Sequence, residues 1–377
     1  QLRANSKGLD LANDSALVQL NQTAQQFAKH QWSAAPMGEH FQTNDAVAPQ
    51  SIINPARHSD VVGYVQEATT EQVEQALNNA QAVQDIWART AKDTRASYLL
   101  RAADLMEARL EELMVLLCRE SGKTYANAIA EVREAVDFLR YYATQMIDLD
   151  ANAEVEPLGT MLCISPWNFP LAIFTGQVAA ALVAGNTVIA KPAEQTPLIA
   201  AQAIQILWQA GVPQAAVQLM PGRGETVGAQ LSAAEQVQGI MFTGSTEVAK
   251  ILQKTVAKRL SKTGESIPLI AETGGQNAMI VDSSALTEQV VLDVVSSAYD
   301  SAGQRCSALR VLCVQEDNAD AVIQMLKGAM QQLQVGNPYL LKTDIGPVID
   351  AEAQENIQKH IDKMRQKGHR VHQLMRN

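Results

Sequence analysis

Four short apolar runs, TMLCIS (160–165), NTVIAK (186–191), AAVQLM (215–220) and GIMFTGS (239–245), recur with helical patterns such as PLIAAQAIQILWQAG between them. Each has the length of a strand, and successive strands separated by helices pair in parallel through crossover connections. The alternation predicts an open α/β sheet, in which ligands bind beyond the carboxyl ends of the strands. Thr196 with Pro197 marks one helix start, and Gly211 marks its stop.

The flanking sequence divides into segments. Residues 1–50 are polar and mixed, with a helical stretch around LVQLNQTAQQFAKHQW, and read as an arm or connector. In TTEQVEQALNNAQAVQDIWAR, the residues Val73, Ala76, Leu77, Ala80, Val83 and Trp87 share one helical face, and Thr69 with Gln72 forms a capping box. RASYLLRAADLMEARLEELMVLLCRE predicts one long amphipathic helix with Cys118 among leucines, and ANAIAEVREAVDFLRYYATQM predicts the next. The sheet domain then spans 51–272. From 273 a second α/β segment begins, with strand NAMIVD, helix LTEQVVLDVVSSAY and strand RVLCVQ, where Cys313 is expected in the core. The chain starts at Gln1 and stops inside a pattern at 377, which reads as a piece of a longer polypeptide whose second domain is truncated.

Composition excludes several functions. A net charge of -10 without clustered Lys and Arg argues against nucleic acid as a partner. The chain has no run of eighteen apolar residues, so no membrane span is expected. Four cysteines without CxxC spacing predict no zinc site and no disulfide framework, and a reducing cytoplasm is the simplest home.

Chemistry-bearing residues cluster around strand ends. SAGQRCSALR sets Cys306 among small and polar residues beside the cationic Arg305, which suits either a nucleophile or a plain loop cysteine. None of the six histidines lies near it, so a Cys-His hydrolase lacks its base. GxGxxG is absent, and PGRGETVG (221–228) is weak on its own. In FTGSTEVAK, the Gly244 to Thr246 amides and the Ser245 hydroxyl open a helix, where a pyrophosphate is stabilised; a capped helix needs no such ligand. SPWNFP holds Asn168 between prolines, as a turn residue or as an oxyanion donor. Lys191 and Glu194 follow a strand with the spacing of a ribose clamp, and Glu272 ends a strand before two glycines as a candidate general base.

In this order and spacing, SPWNFP, KPAE, FTGSTE, ETGG and GQRC resemble the NAD(P)-dependent aldehyde dehydrogenase superfamily over roughly residues 50–377. The resemblance implies Cys306 as nucleophile, Glu272 as general base and Asn168 as oxyanion donor. It implies cofactor contacts at Pro166, Trp167, Lys191, Glu194, Gly224, Gly228, Thr243, Gly244, Ser245 and Val248. Residues 51–272 become the NAD-binding domain and 273–377 an incomplete catalytic domain. Glu194 beside a ribose favours NAD over NADP, because a 2′-phosphate would meet like charge. ETGGQNA with SAGQRCSALR is similar to the branch that oxidises L-glutamate γ-semialdehyde, with Phe169 and Ser307 seating the substrate. NSKGLDLAND is similar to the connector of bifunctional proline utilization proteins, which implies a linked proline dehydrogenase domain carrying FAD elsewhere in the parent chain. A homo-oligomer fits the same family. The family's Glu-x-Phe motif, glycine- and serine-rich anchoring loop and oligomerising strand do not occur by residue 377. A dehydrogenase for another small semialdehyde, such as succinate semialdehyde, and a silent structural fragment are the alternatives.

Overall fold

The apolar runs of the middle segment pair as expected. The computed structural model describes residues 3–41, 48–149 and 155–374. In chain order its elements begin with α1 (Asp14–Phe27), β1 (Trp32–Ala34), β2 (Gln50–Ile53) and β3 (Val61–Val65). Four helices follow: α2 (Thr70–Arg89), α3 (Lys92–Ala108), α4 (Leu110–Ser121) and α5 (Tyr125–Asp148). The alternating part comprises β4 (Thr160–Ile164), α6 (Ala172–Val183), β5 (Val188–Lys191), α7 (Pro197–Gln209), β6 (Val217–Leu219), α8 (Ala229–Ala233), β7 (Val237–Gly244), α9 (Thr246–Val256) and β8 (Leu269–Thr273). The last part is β9 (Asn277–Val281), α10 (Thr287–Tyr299), β10 (Leu309–Val314), α11 (Glu316–Gln332) and α12 (Ala351–Gln366).

Strands β4 to β8 form one five-stranded sheet in the order β6-β5-β4-β7-β8, and every pairing in it is parallel. The two-residue period of a strand sorts the side chains of β4. Met161 and Cys163 join the core beneath α3, α5, α6 and α7, while Leu162 joins the opposite core with residues of α2, α8 and α9. Both faces are thus covered, as a parallel sheet requires. Each fully buried aliphatic side chain stabilises the fold by about 1.5–3 kcal/mol. Among the described residues no helix is long and apolar enough to cross a membrane.

Three expectations need correction. The long helix is two: Arg109 (φ -107°, ψ 18°) separates α3 from α4. Every residue of α4 from Leu113 to Ser121 is buried, whereas α3 buries one face, so the axis turns where the surroundings change. Neither Gly nor Pro marks the break; Arg109 instead grips Glu112 and Gln202. The stretch around LVQLNQTAQQFAKHQW is helical only to Phe27. Trp32 enters β1 opposite Gly63 of β3, where any Cβ would lie 2.1 Å from the Trp32 carbonyl oxygen, so glycine alone permits the pairing. The indole stacks on Phe27 at 5.8 Å and is buried with Leu20 and Ala34 in the main core.

Cys313 is the third. It is exposed, not core. Strands β9 and β10 form a two-stranded parallel sheet with one face packed on α10 and α11 through Val281, Val290, Val294, Leu309 and Val322. The other face is open: Cys313 lies opposite Ile280, which is 83% exposed.

The start of α7, facing the core, is capped by an acid. Glu120, 1% exposed, accepts the Leu198 and Ile199 amides at the start of α7, at 2.6 and 2.9 Å. Burial pushes its carboxyl up to about 8, against the pull of those two amides.

Candidate active site

Parallel register aligns the carboxyl ends of the central strands. Ile164 lies beside Lys191 on one side and Phe242 on the other, and Thr243 lies beside Glu272. The loops after β4, β5, β7 and β8 therefore leave from one edge of the sheet.

After β4, SPWNFP runs half-buried between Pro166 and Pro170 before α6 begins. The Asn168 side-chain amide donates to the Gln304 carbonyl at 3.0 Å, which ties this loop to the segment carrying Cys306. On its other side, the Asn168 carbonyl accepts from Lys123 Nζ at 2.7 Å. The same ammonium lies 4.6 Å from the centre of the Phe169 ring.

The cysteine segment is a strained turn. Ser301, Ala302 and Gly303 follow one another with φ of 54°, 55° and 69°. Left-handed backbone costs roughly 1–2 kcal/mol for each residue bearing a Cβ. Polar ties hold it. Gln304 Nε2 donates to the Ser301 and Pro347 carbonyls at 2.9 and 3.3 Å, and its Oε1 accepts from the Ile349 amide at 3.0 Å. Arg310 reaches the Gly303 carbonyl at 2.7 Å. Asn277, at the start of β9, donates its amide to the carbonyls of Cys306 and Ala308 at 2.8 and 3.0 Å. Cys306 and Ser307 emerge exposed at the tip. Arg305 pairs with Asp300 and donates to Asn127. Strain concentrated beside a reactive group is characteristic of functional turns.

On the neighbouring strands, Lys191 is only 4% exposed and donates to the Pro192 carbonyl at 3.1 Å. Burial lowers its pKa, while Glu194, Glu225 and Glu67 draw it back. Glu194 accepts the Gly224 amide at 2.7 Å, and a Cβ at Gly228 would lie 3.4 Å from Lys191 Cε, so these four residues form one cluster. Gly244 has no room for a side chain, since its Cβ would lie 2.6 Å from the Phe242 ring. Ser245 caps α9 by accepting the Val248 amide at 3.2 Å, which leaves its hydroxyl proton for an incoming anion. Val248 is 41% exposed on the first turn of α9. Gln177 of α6 donates to Thr243 Oγ1 and the Ile164 carbonyl at 3.1 and 3.3 Å, joining the ends of β4 and β7. Glu272 is exposed, and Gly274 beyond it has open space around it.

A buried lysine, a hydroxyl-capped helix of 11 residues and two side-chain-free approaches together suit the polar half of a dinucleotide. Two surface cavities, of about 360 Å³ beside Lys29 and Arg57 and about 680 Å³ beside Glu235 and Arg259, lie elsewhere. Among the described residues no group of His, Cys, Asp and Glu is placed to hold a metal.

Sequence reasoning missed Lys123, Asn277 and Gln304. The last two sit inside quoted motifs, where an amide side chain next to glycines or a cysteine was the available signal. Lys123 precedes α5, and nothing local marks it.

The sequence model of the aldehyde dehydrogenase family matches residues 41–374. The bifunctional protein PutA of Klebsiella aerogenes is 60% identical over 99% of this chain, which spans 28% of that relative's length. The 1-pyrroline-5-carboxylate dehydrogenase of Anoxybacillus flavithermus is 36% identical over 95% of this chain and 71% of its own. A Thermus 1-pyrroline-5-carboxylate dehydrogenase solved with bound NAD superposes with a TM-score of 0.91 at 31% identity, covering 97% of this chain and 73% of that one. The chain therefore belongs to the aldehyde dehydrogenase family.

Proposed function

We propose that this chain carries the chemistry of an NAD-dependent L-glutamate γ-semialdehyde dehydrogenase, the second oxidation in proline breakdown. The observation that carries it is the Asn168 amide bound to the Gln304 carbonyl, which brings a neutral donor to the segment of an exposed cysteine. The names of the dehydrogenase relatives support the substrate.

The Cys306 thiolate adds to the aldehyde carbon, and the carbonyl electron pair moves onto oxygen. Asn168 and the Cys306 main-chain amide stabilise that oxyanion. Its collapse re-forms the carbonyl and expels hydride, leaving a thioester on Cys306. NAD supplies the hydride acceptor. Glu272 then takes a proton from water, the hydroxide adds to the thioester carbonyl, and the C–S bond breaks to restore the thiolate, leaving a carboxylic acid that releases its proton to solvent as the carboxylate.

Pro166, Trp167, Lys191, Glu194, Gly224, Gly228, Thr243, Gly244, Ser245 and Val248 would hold the cofactor, within a domain spanning 51–272. Phe169 and Ser307 would seat the aldehyde at the edge of the segment 273–377. A linked proline dehydrogenase domain with FAD, in a cytoplasmic bifunctional polypeptide, accords with the small share of PutA that the chain covers.

The test is NADH formation from glutamate γ-semialdehyde and from an unsubstituted aldehyde of equal length. The substituted aldehyde should give a kcat/KM at least about tenfold higher, equivalent to about 1.4 kcal/mol of selective binding. Equal values would reject the substrate, and no NADH from either would reject the activity.

A further inference from the structure

We propose that the buried ion pair Lys123–Glu131 positions Asn168 and Phe169, making both of its members positioning residues for the aldehyde site. This rests on Asn168 acting as oxyanion donor. The two side chains are 5% and 0% exposed and meet at 2.8 Å. Replacing a buried ion pair by apolar groups of similar volume is often neutral or stabilising, so stability alone gives little reason to keep one.

Its contacts supply the reason. Lys123 Nζ, besides meeting Glu131, donates to the Asn168 carbonyl at 2.7 Å and faces the Phe169 ring at 4.6 Å. Glu131 Oε1 accepts the Leu171 and Ala172 amides at 2.9 and 3.1 Å, where its charge also favours the N-terminal end of α6. Both charges thus act on one stretch of main chain, residues 168–172. Two N–H groups go to the anion; one carbonyl and one aromatic face go to the cation. With the Asn168 side chain fixed on Gln304, the donor is held from both ends.

Glu120 gives a contrast within the same molecule. It caps α7 in the same manner, yet the cation that Glu131 owes to Lys123 has no counterpart among the causes acting on it. A buried acid, its carboxyl raised to about 8, can cap a helix without that ammonium, so the cap itself does not require Lys123, and Lys123 is explained by what it does to the Asn168 loop.

The experiment is a double-mutant cycle in the intact polypeptide, reading single-turnover NADH formation at saturating aldehyde, with NAD affinity and thermal unfolding measured alongside. Asn168→Ala should slow the step by roughly 10²–10³-fold. Lys123→Met should slow it about tenfold or more in the parent and less than about twofold in the Asn168→Ala background, because the lysine acts through the asparagine. NAD affinity should stay within about twofold, and Lys123→Arg should restore part of the loss. An equal Lys123→Met effect in both backgrounds would overturn the proposal. If Lys123→Met does not fold, Glu131→Gln takes its place in the same cycle with the same criterion. Hydrogen exchange of the Leu171 and Ala172 amides should quicken at least about tenfold in the variant. Unchanged exchange rejects the positioning role whatever the activity, whereas quickened exchange in a protein that oxidises no aldehyde rejects the activity alone.

Discussion

Two regions of this chain, the central sheet and the segment around Cys306, hold their geometry by different means. In the sheet β6-β5-β4-β7-β8, position is set by burial: Leu162, Ile189 and Ile240 are 0% exposed, and Cys163 beside them is 1% exposed. Around Cys306, position is set by hydrogen bonds. The small core beneath β9 and β10 has one covered face, and Asn277, Gln304 and Arg310 hold the loop through carbonyls. Packing fixes a strand within a crowd of neighbours, but it would block a nucleophile. Directed polar ties fix a thiol while leaving it open to a substrate.

The sharpest test of that contrast is chemical. Cys306→Ala should lower aldehyde oxidation by about 10⁴-fold or more while NAD affinity stays nearly unchanged, since in the proposed reaction the sulfur forms the covalent bond, and its exposed side chain contributes little packing. Comparable turnover in the variant would remove Cys306 from the reaction. In stability the ranking reverses. Leu162→Ala should cost about 2–5 kcal/mol in urea denaturation, whereas Ile280→Ala on the open face should stay within about 0.5 kcal/mol. Similar midpoints for the two would erase the difference between the regions.

A smaller effect comes from Glu120. Its carboxyl is raised from 4.5 to about 8, so the folded state holds a proton that the unfolded chain releases. That stabilisation is complete below pH 4.5 and is lost as pH rises through about 8. Glu120→Gln, which carries no such proton, should gain stability relative to the parent across this window, by an amount on the order of 1–3 kcal/mol. Parallel stability curves would mean that the acid is ionised in its buried cap. The smallest effect concerns the cofactor. Glu194→Gln should narrow the preference for NAD over NADP by about tenfold or less, equivalent to at most about 1.4 kcal/mol; an unchanged kcat/KM ratio would take Glu194 away from the ribose.

Much of the architecture was legible because its signals are local. The runs ending at Ile164, Lys191 and Gly244 are strands, and Thr69 with Gln72 forms the capping box read from the sequence. Cys313 misled because an apolar run shows that a strand exists without showing which face is covered. The break at Arg109 was invisible because it answers to a change in burial. In the site, each motif alone had an ordinary explanation, and only their order pointed to a dehydrogenase. Lys123 carried no local signal, and the motif around Gln304 did not show its partner, for the two act on Asn168 from 45 and 136 residues away.

The bond from Asn168 to the Gln304 carbonyl has an entropic consequence. A free asparagine side chain samples several rotamers, and ordering one on arrival of a substrate would subtract from binding. A primary amide has two coplanar N–H groups, so committing one of them fixes the direction of the other. Here that ordering is completed when the chain folds. It also makes the donor follow the cysteine segment: a shift of the Gln304 carbonyl rotates the Asn168 amide with it, although the two residues are 136 positions apart. In the proposed reaction, this tie would keep the Asn168 amide coupled to the segment that carries Cys306.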